Sequence, residues 1–168
     1  TLTASSTAGV NNFQKWQQDG VDFSNSSIAQ VTMDNDFAMT AFYLPPVVTI
    51  AATDPNASET GPDPGVFTVT RAGTPGSALT VNYTVGGTAI PGPGNDYVAL
   101  PGSVTILTGQ SSAQIVVTPI DDGVVNEGDE TVVVTLAAGG SYTVGSPSSV
   151  TVTITDNDVA PETILNSG

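Results

Sequence analysis

The sequence predicts an all-β protein in which a seven-stranded sandwich follows a smaller β unit. Short runs rich in Val, Ile, Thr and Tyr recur along the chain, and clusters of Gly, Pro, Ser and Asn separate them at roughly the 8 to 12-residue spacing of a sandwich. Leu is sparse, Val and Thr are abundant, and no convincing amphipathic helix occurs, so the composition also favours strands.

The predicted sandwich strands follow one another between residues 47 and 155. They cover residues 47–53, 65–71, 78–86, 102–107, 112–120, 130–138 and 148–155. Because hairpins and Greek-key connections make successive strands antiparallel, the first, third, fifth and seventh strands end at the same pole of the sandwich.

All eleven acidic residues between Val47 and Asp158 fall in the connections at that pole. They are Asp54, Glu59, Asp63, Asp96, Asp121, Asp122, Glu127, Asp129, Glu130, Asp156 and Asp158. The connections at the opposite pole contain no acid. Carboxylates crowded in this way repel one another by about 1 kcal/mol per pair at ~4 Å even in water, and a hard cation would remove the conflict. The distribution therefore predicts a divalent-cation site, against the alternative that the acids only solubilise loop ends.

The available ligands favour Ca²⁺ over other metals. Carboxylate oxygens, helped by backbone carbonyls and water, suit Ca²⁺, which takes 6 to 8 oxygen ligands in flexible geometry. Mg²⁺ demands a tighter octahedron, and Zn²⁺ normally recruits His or Cys. The chain contains neither His nor Cys.

The charge balance excludes several classes of partner. Two basic residues, Lys15 and Arg71, stand against sixteen acidic residues, and the net charge is −14. A basic patch for nucleic acid or an anionic membrane is therefore excluded, and any partner is expected to be cationic, neutral or another copy of the chain. Adjacent repeats and glycans are the further partners we consider. No apolar run approaches the ~20 residues of a membrane span. Arg71 is expected to be a surface residue at a strand end.

The composition does not favour an enzyme. Without His or Cys, and with one Lys remote from the acidic pole, the usual bases and nucleophiles are missing. Paired carboxylates can catalyse glycoside hydrolysis, but these acids are too many and too crowded for two opposite roles. Zero Cys also removes any disulfide framework and leaves metal ligation to stabilise the loops.

Two consecutive prolines, Pro45 and Pro46, mark a predicted domain boundary, because proline cannot donate to a ladder and two in series form a stiff joint. The predicted organisation is a partial β-repeat at 1–44, the joint at 45–46, the sandwich at 47–158 and a tail at 159–168. The first unit is predicted to contain strands at residues 1–4, 13–16, 28–33 and 37–43.

The core of that first unit is expected to contain Trp16, Phe13 and Phe42. A unit with so small a core is only marginally stable by itself. It is therefore expected to pack against the sandwich, upstream sequence or a neighbouring molecule. The chain begins without Met, as expected of a mature or excised segment.

The tail contains one apolar stretch, Thr163, Ile164 and Leu165. One interpretation is a frayed end or a linker. The other is a strand that pairs with an exposed edge of the next molecule, as in donor-strand complementation.

Several motifs carry a resemblance to a known family. Residues 121–136 read Asp-Asp-Gly-Val-Val-Asn-Glu-Gly-Asp-Glu-Thr-Val-Val-Val-Thr-Leu, and residues 153–158 read Thr-Ile-Thr-Asp-Asn-Asp. With Ala57-Ser58-Glu59, Gly87-Thr88-Ala89 and Gly94-Asn95-Asp96-Tyr97, they closely resemble the Calx-beta family over residues 47–158. The resemblance implies an immunoglobulin-like sandwich. The family occurs in calcium sensors of sodium/calcium exchangers, in an integrin subunit and in large bacterial surface and secreted proteins.

The resemblance also implies a set of calcium ligands. The matching positions are Glu59, Asp96, Asp122, Glu127, Glu130, Asp156 and Asp158, with a backbone carbonyl near Val124. The pole argument adds Asp121. Gly123 and Asn157 stand where strongly binding members carry aspartate, and the loop after the fifth strand is one residue longer. Fewer charges imply one to three Ca²⁺ ions in a structural rather than a sensing role.

The first 43 residues resemble the later part of a bacterial surface repeat of the internalin B-repeat type. The matching segments are Leu2-Thr3-Ala4, Phe13 with Trp16, Val31-Thr32-Met33-Asp34 and Thr40-Ala41-Phe42. The early strands of such a repeat are missing before Thr1, whereas residues 163–168 could begin one. One molecule's tail is therefore a candidate to complete the first unit of the next.

Asn25, Asn56 and Asn82 lie in N-x-Ser/Thr sequons, candidate glycosylation sites that also arise by chance in Ser/Thr-rich chains.

Two functional hypotheses follow from these features. The first is a calcium-stabilised structural module of an extracellular or cell-surface bacterial assembly, either an adhesin repeat or a filament subunit joined to its neighbours by strand exchange. The alternative is a non-polymerising, calcium-dependent adhesion module for carbohydrate or protein.

Overall fold

The computed structural model describes residues 1–32, 36–61, 63–125 and 127–158, and all its regular elements are β-strands. The strands before the prolines are β1 (Leu2–Thr3), β2 (Thr7–Ala8), β3 (Asn11–Gln18), β4 (Val21–Ser24), β5 (Ile28–Ala29) and β6 (Met39–Leu44). Those after them are β7 (Val47–Asp54), β8 (Asn56–Ser58), β9 (Gly65–Arg71), β10 (Leu79–Gly87), β11 (Ser103–Ile106), β12 (Ser112–Val117), β13 (Glu130–Leu136), β14 (Thr143–Val144) and β15 (Ser149–Thr155).

The later strands form the predicted sandwich. One sheet has the order β11-β10-β13-β15-β8 and the other the order β12-β9-β7-β14. The long strands pair antiparallel, whereas the short strands β8 and β14 pair parallel to β15 and β7. The predicted all-β sandwich is confirmed.

Alternation along the strands builds the sandwich core. In β10, Leu79, Val81 and Tyr83 are buried while the residues between them face solvent, because successive side chains point to opposite faces of a strand. Phe67 in β9 and Val132 in β13 are fully buried in the same way. Each such side chain contributes about 1.5 to 3 kcal/mol relative to an exposed one.

Short strands are where the structure departs from the sequence prediction. The strands β2, β4, β8 and β14 were not predicted, because two to four residues carry too little alternation to be recognised. The predicted strand 112–120 ends at Val117, since Pro119 has no N–H to donate. The predicted strand 28–33 is reduced to Ile28–Ala29, and residue 33 lies outside the described residues.

The N-terminal unit has a small core. Its buried hydrophobic side chains, among the described residues, are Ala4, Trp16 and Ala29. Phe13 packs edge-on against Trp16, with 6.2 Å between ring centroids, and against Tyr43 at 5.7 Å. The placement of Phe42 in this core was wrong. Strand alternation turns its ring outward, where the Lys15 ammonium lies 5.7 Å from the ring centroid.

The N-terminal unit joins the sandwich at the acid-free pole. The Asn12 side-chain amide donates to the Ala72 carbonyl at 3.3 Å, and the Ser77 amide donates to the Gly9 carbonyl at 3.0 Å. Gly76 permits this approach, because a Cβ there would lie 2.3 Å from the Gly9 oxygen. Val10 also packs against the sandwich core.

Arg71 was expected at the surface, and the structure buries it. Its guanidinium donates three hydrogen bonds, to the carbonyls of Gln110 (2.9 Å), Ser77 (2.7 Å) and Gly76 (3.2 Å). Every residue has a backbone carbonyl, so the sequence alone does not identify carbonyl groups as hydrogen-bond partners of Arg71. Arg71 therefore ties together two loops of the acid-free pole, beside the joint to the N-terminal unit.

Among the residues that the structure describes, no helix is long and apolar enough to cross a bilayer. The three sequon asparagines, Asn25, Asn56 and Asn82, are all exposed.

Replacement of Arg71 by Met should destabilise the fold. The substitution keeps much of the side-chain volume but removes three hydrogen bonds. The carbonyls of Gln110 and Ser77 lose the guanidinium donor, whereas the Gly76 carbonyl keeps the Gly109 amide, so we expect a loss of about 2 to 4 kcal/mol in the free energy of unfolding. Urea denaturation measures this loss. Lys15→Met is the matched control, since it removes the same charge from an exposed pair with Asp22. Equal effects of the two substitutions would contradict the assigned role of Arg71.

Candidate metal centre

A first cluster of carboxylates joins Glu59, Asp156 and Asp158, whose ligand oxygens all lie within 4.8 Å of one another. The sheet pairing creates this cluster. Because β8 runs parallel to β15, with Ala57 opposite Ile154 and Ser58 opposite Thr155, the two strands end side by side. The acids that follow each strand therefore meet, although about one hundred residues separate them in sequence.

A second cluster joins Asp96, Asp122 and Glu127 within the same 4.8 Å limit. Asp96 is buried, with 4% of its surface exposed, and its Oδ2 accepts a hydrogen bond from the Ile90 amide. The Asp96 carbonyl accepts another hydrogen bond, from the Ile120 amide at 2.9 Å. These bonds fix Asp96 beside the start of the loop that carries Asp122 and Glu127.

Short-range hydrogen bonds orient the loop carboxylates. Asp122 Oδ1 accepts from the Val124 amide at 2.9 Å, and Asp156 Oδ1 accepts from the Asp158 amide at 2.7 Å. Asp156 Oδ2 also accepts from the Gly128 amide at 3.2 Å, which ties the loop after β12 to the end of β15. Gly128 has a φ of +75°, a conformation that favours glycine.

The carboxylates strongly perturb one another. Burial, followed by the charges of Asp122, Asp156, Asp158 and Asp121, raises the pKa of Glu59 to about 7. A hydrogen bond with Asp96, followed by burial, raises the pKa of Glu130 to about 7. Loss of hydration and the charge of Asp122 also raise the pKa of Glu127. The folded protein therefore holds protons on groups that would be ionised in an unfolded chain at pH 6 to 7.

The site fits a hard divalent cation. Asp158 Oδ2 is buried and, within the described part of the chain, accepts no hydrogen bond. Glu59 is 4% exposed, so its carboxylate is largely removed from water. The side-chain ligands on offer are carboxylate oxygens, the donor set of Ca²⁺. At a spacing of ~5 Å each charged pair repels by about 3 kcal/mol at an effective dielectric of ~20.

The structure brings together most of the sequence-predicted ligands. Six of the nine lie in the two clusters, and Glu130 lies beside Asp96. Asp121 is exposed and acts on Glu59 through its charge without joining a cluster. The side chain of Val124 is exposed, and its amide is bonded to Asp122.

Two threonines that were not predicted to act at the site, Thr88 and Thr131, help to position Glu130. The Thr131 amide donates to Thr88 Oγ1 at 2.8 Å, and the Thr88 amide donates to Thr131 Oγ1 at 3.2 Å. Gly87 permits this contact, because a Cβ there would lie 2.0 Å from the Thr131 carbonyl oxygen. Gly87-Thr88 belongs to a motif that carries the family resemblance, and the sequence alone did not show that it supports Glu130.

The acidic pole on a two-sheet sandwich defines this chain as a β-module of the calcium-binding type. A family model described as the Calx-beta domain matches residues 45–158, well over half of the chain. The chain belongs to the Calx-beta family.

Solved structures give the same fold. The apo form of the Calx CBD1 domain is 22% identical, with a TM-score of 0.55, over 68% of this chain and 100% of that chain. CBD12 from CALX1.2 is 22% identical, with a TM-score of 0.54, over 67% of this chain and 46% of that chain. The calcium binding domain CBD12 of CALX1.1 is 24% identical, with a TM-score of 0.50, over 61% and 41%. No curated protein sequence matches the chain.

The stability of the metal-free protein should fall as the pH rises. Glu59 and Glu130 have folded pKa values of about 7 and reference values of 4.5, so the folded state binds more protons between these limits. The free energy of unfolding then decreases with pH, by about 1.4 kcal/mol per unit of pKa difference for each group. Thermal unfolding in chelator should give a higher Tm at pH 5 than at pH 8.

Glu59→Gln is the control for this pH dependence, because an amide cannot ionise. The variant should show a weaker fall in Tm between pH 5 and pH 8 than the parent chain. A metal-free Tm that is equal or higher at pH 8 would contradict the raised pKa values.

Proposed function

We propose that this chain is a calcium-stabilised structural module of an extracellular bacterial assembly, either an adhesin repeat or a filament subunit joined to its neighbours by strand exchange. The observation that carries the proposal is the meeting of mutually repelling carboxylates from separate connections at one pole of the sandwich, with one buried member, Glu59 or Asp96, in each cluster. Such an arrangement costs stability unless a cation neutralises it.

The ligands come from connections that are far apart in sequence, which supports a structural role for the ion. One cluster draws on the loops after β8 and β15, and the other on those after β10 and β12. A cation shared by such loops would hold the pole together. Two clusters, with Glu130 next to Asp96, accommodate one to three Ca²⁺ ions. The carboxylates serve one common role in this proposal, and no catalytic step is part of it.

The small core of the N-terminal unit is evidence for assembly with other copies or with adjacent repeats. Three buried side chains make a small core, and small cores gain stability from a further partner. The net charge of −14 suits a soluble extracellular surface and is incompatible with a nucleic-acid partner.

A second candidate function is a non-polymerising adhesion module for carbohydrate or protein. A cavity of about 350 Å³ favours it, lined by Gly92, Pro93, Val98, Ala99 and Ile120. The cavity lies beside Asp96, whose carbonyl is bonded to the Ile120 amide, so a cation there could shape it. The two candidates differ in whether the purified chain polymerises in calcium, which electron microscopy shows directly.

Calcium should raise the Tm, and Glu59→Gln should weaken that response. A ligand at about 100 times its Kd adds about 2.7 kcal/mol per site, which shifts the Tm of a domain of this size by several degrees. Glu59→Gln removes one ligand charge, and in chelator at pH 8 it should be at least as stable as the parent because it also removes a buried charge. Scanning calorimetry measures both effects.

Asp63→Asn is the matched control, since Asp63 is an exposed acid of the same pole outside both clusters. It should retain the full response to calcium. An unchanged Tm of the parent chain in calcium, or an equal shift with magnesium, would refute a calcium-specific site.

A further inference from the structure

We infer that the outer edge of β6, together with the apolar groove beside it, is the acceptor site for residues 163–165 of a second copy of this chain. This inference rests on the proposed assembly. It adds the surface through which neighbouring copies join and their head-to-tail orientation.

The acceptor edge is open in the described part of the chain. Strand β6 pairs with β3 along one edge, and no described strand pairs with its other edge. Along β6, Met39, Ala41 and Tyr43 are half-buried, whereas Thr40 and Phe42 are exposed. An open edge of six residues presents unpaired N–H and C=O groups and is a template for another strand.

An apolar groove adjoins β6 at Met39, the first residue of the strand. A cavity of about 310 Å³ is lined by Thr1, Leu2, Val31, Phe37 and Met39. Leu2 and Met39 pack against the small core of the N-terminal unit without being fully buried. A strand added to β6 would lay alternate side chains over these residues and enlarge that core.

The tail has the chemistry to fill this site. Thr163, Ile164 and Leu165 are β-branched or apolar, and residues 163–168 contain no charged side chain. The β6 segment, Met-Thr-Ala-Phe-Tyr-Leu, is uncharged as well. In a chain with sixteen acidic residues, two uncharged segments can meet without the repulsion that opposes most other contacts between copies.

The geometry favours a second copy over the same molecule. The N-terminal unit joins the acid-free pole through Asn12 and Ala72, whereas the tail follows Asp158 at the acidic pole. The sandwich strands between the poles include β10, whose nine residues span about 30 Å. Residues 163–165 are the fifth to seventh after Asp158 and reach at most about 25 Å from it. The donor therefore falls short of its own acceptor.

A donor at one end and an acceptor at the other make a heterologous contact. Such contacts repeat from copy to copy and generate an open filament unless the rotation between copies closes a ring. Each added copy would present a fresh donor at its acidic pole.

Engineered cysteines test this contact directly, because the natural chain has none. Four single-cysteine variants are prepared in separate batches. One carries Thr40→Cys in the proposed acceptor, and the others carry Thr163→Cys, Ile164→Cys or Leu165→Cys in the proposed donor. Each chain then carries a single thiol, so a disulfide between two batches can form only between molecules. Batches are mixed under mild oxidation in millimolar calcium, and the mixed dimers are quantified by mass spectrometry.

At least one tail variant should cross-link to Thr40→Cys at least tenfold more than to Gln114→Cys, the control. Gln114 is exposed on β12, an edge strand of the sandwich, and offers an equally accessible thiol away from the proposed acceptor. Equal yields with the two positions would overturn the inference. A chain lacking residues 159–168 should stay folded, remain monomeric and bind a synthetic peptide of residues 159–168.

The calcium response of the same batches separates this inference from the proposed metal site. A calcium-induced rise in Tm without selective cross-linking would refute the proposed strand exchange and still support the metal site. Selective cross-linking without a calcium-induced rise in Tm would refute the proposed metal site and support the contact between copies.

Discussion

The repulsion among carboxylates at one pole is the constraint on which the rest of this molecule depends. Strand parity puts every acidic connection of the sandwich at that end, and the pairing of β8 with β15 fixes Glu59 against Asp156 and Asp158. The backbones that carry these acids cannot move apart without loss of that pairing. Protons and a divalent cation are two ways to relieve this repulsion. Burial and then the neighbouring charges raise the pKa of Glu59 to about 7, and a hydrogen bond with Asp96, burial and then the neighbouring charges raise that of Glu130 to about 7.

The opposite pole is organised by other means. Its loops carry no acid, and Arg71 ties two of them together through backbone carbonyls. The N-terminal unit sits on these loops, with Gly9 and Gly76 in close approach. The two poles of the sandwich therefore differ in charge. One holds crowded carboxylates, and the other is free of acids and holds the Arg71 cation beside the joint to the N-terminal unit. A module whose two ends differ in this way suits the repeated, head-to-tail assembly that we propose.

The sequence was most informative where a rule of strand alternation or parity applies. It placed β9 at residues 65–71 as observed, and parity alone grouped the acids at one pole. It failed where the outcome depends on contacts that leave no local pattern. The two-residue and three-residue strands β14 and β8 have no measurable period, Arg71 is buried against carbonyls, and Phe42 is turned outward by a register that only the pairing with β3 sets. The proximity of Glu130 to Asp96 likewise depends on the fold and leaves no local sequence pattern.

Proton release on calcium binding tests the central claim most directly. At pH 6.5 Glu59 and Glu130 are largely protonated, and a cation that takes these carboxylates as ligands must displace the protons. Isothermal titration calorimetry in buffers of different ionisation enthalpy should show release of about one to two protons per chain at pH 6.5 and far fewer at pH 8.5. Calcium binding that exchanges no protons at pH 6.5, or no binding at all, would contradict this account of the acidic pole.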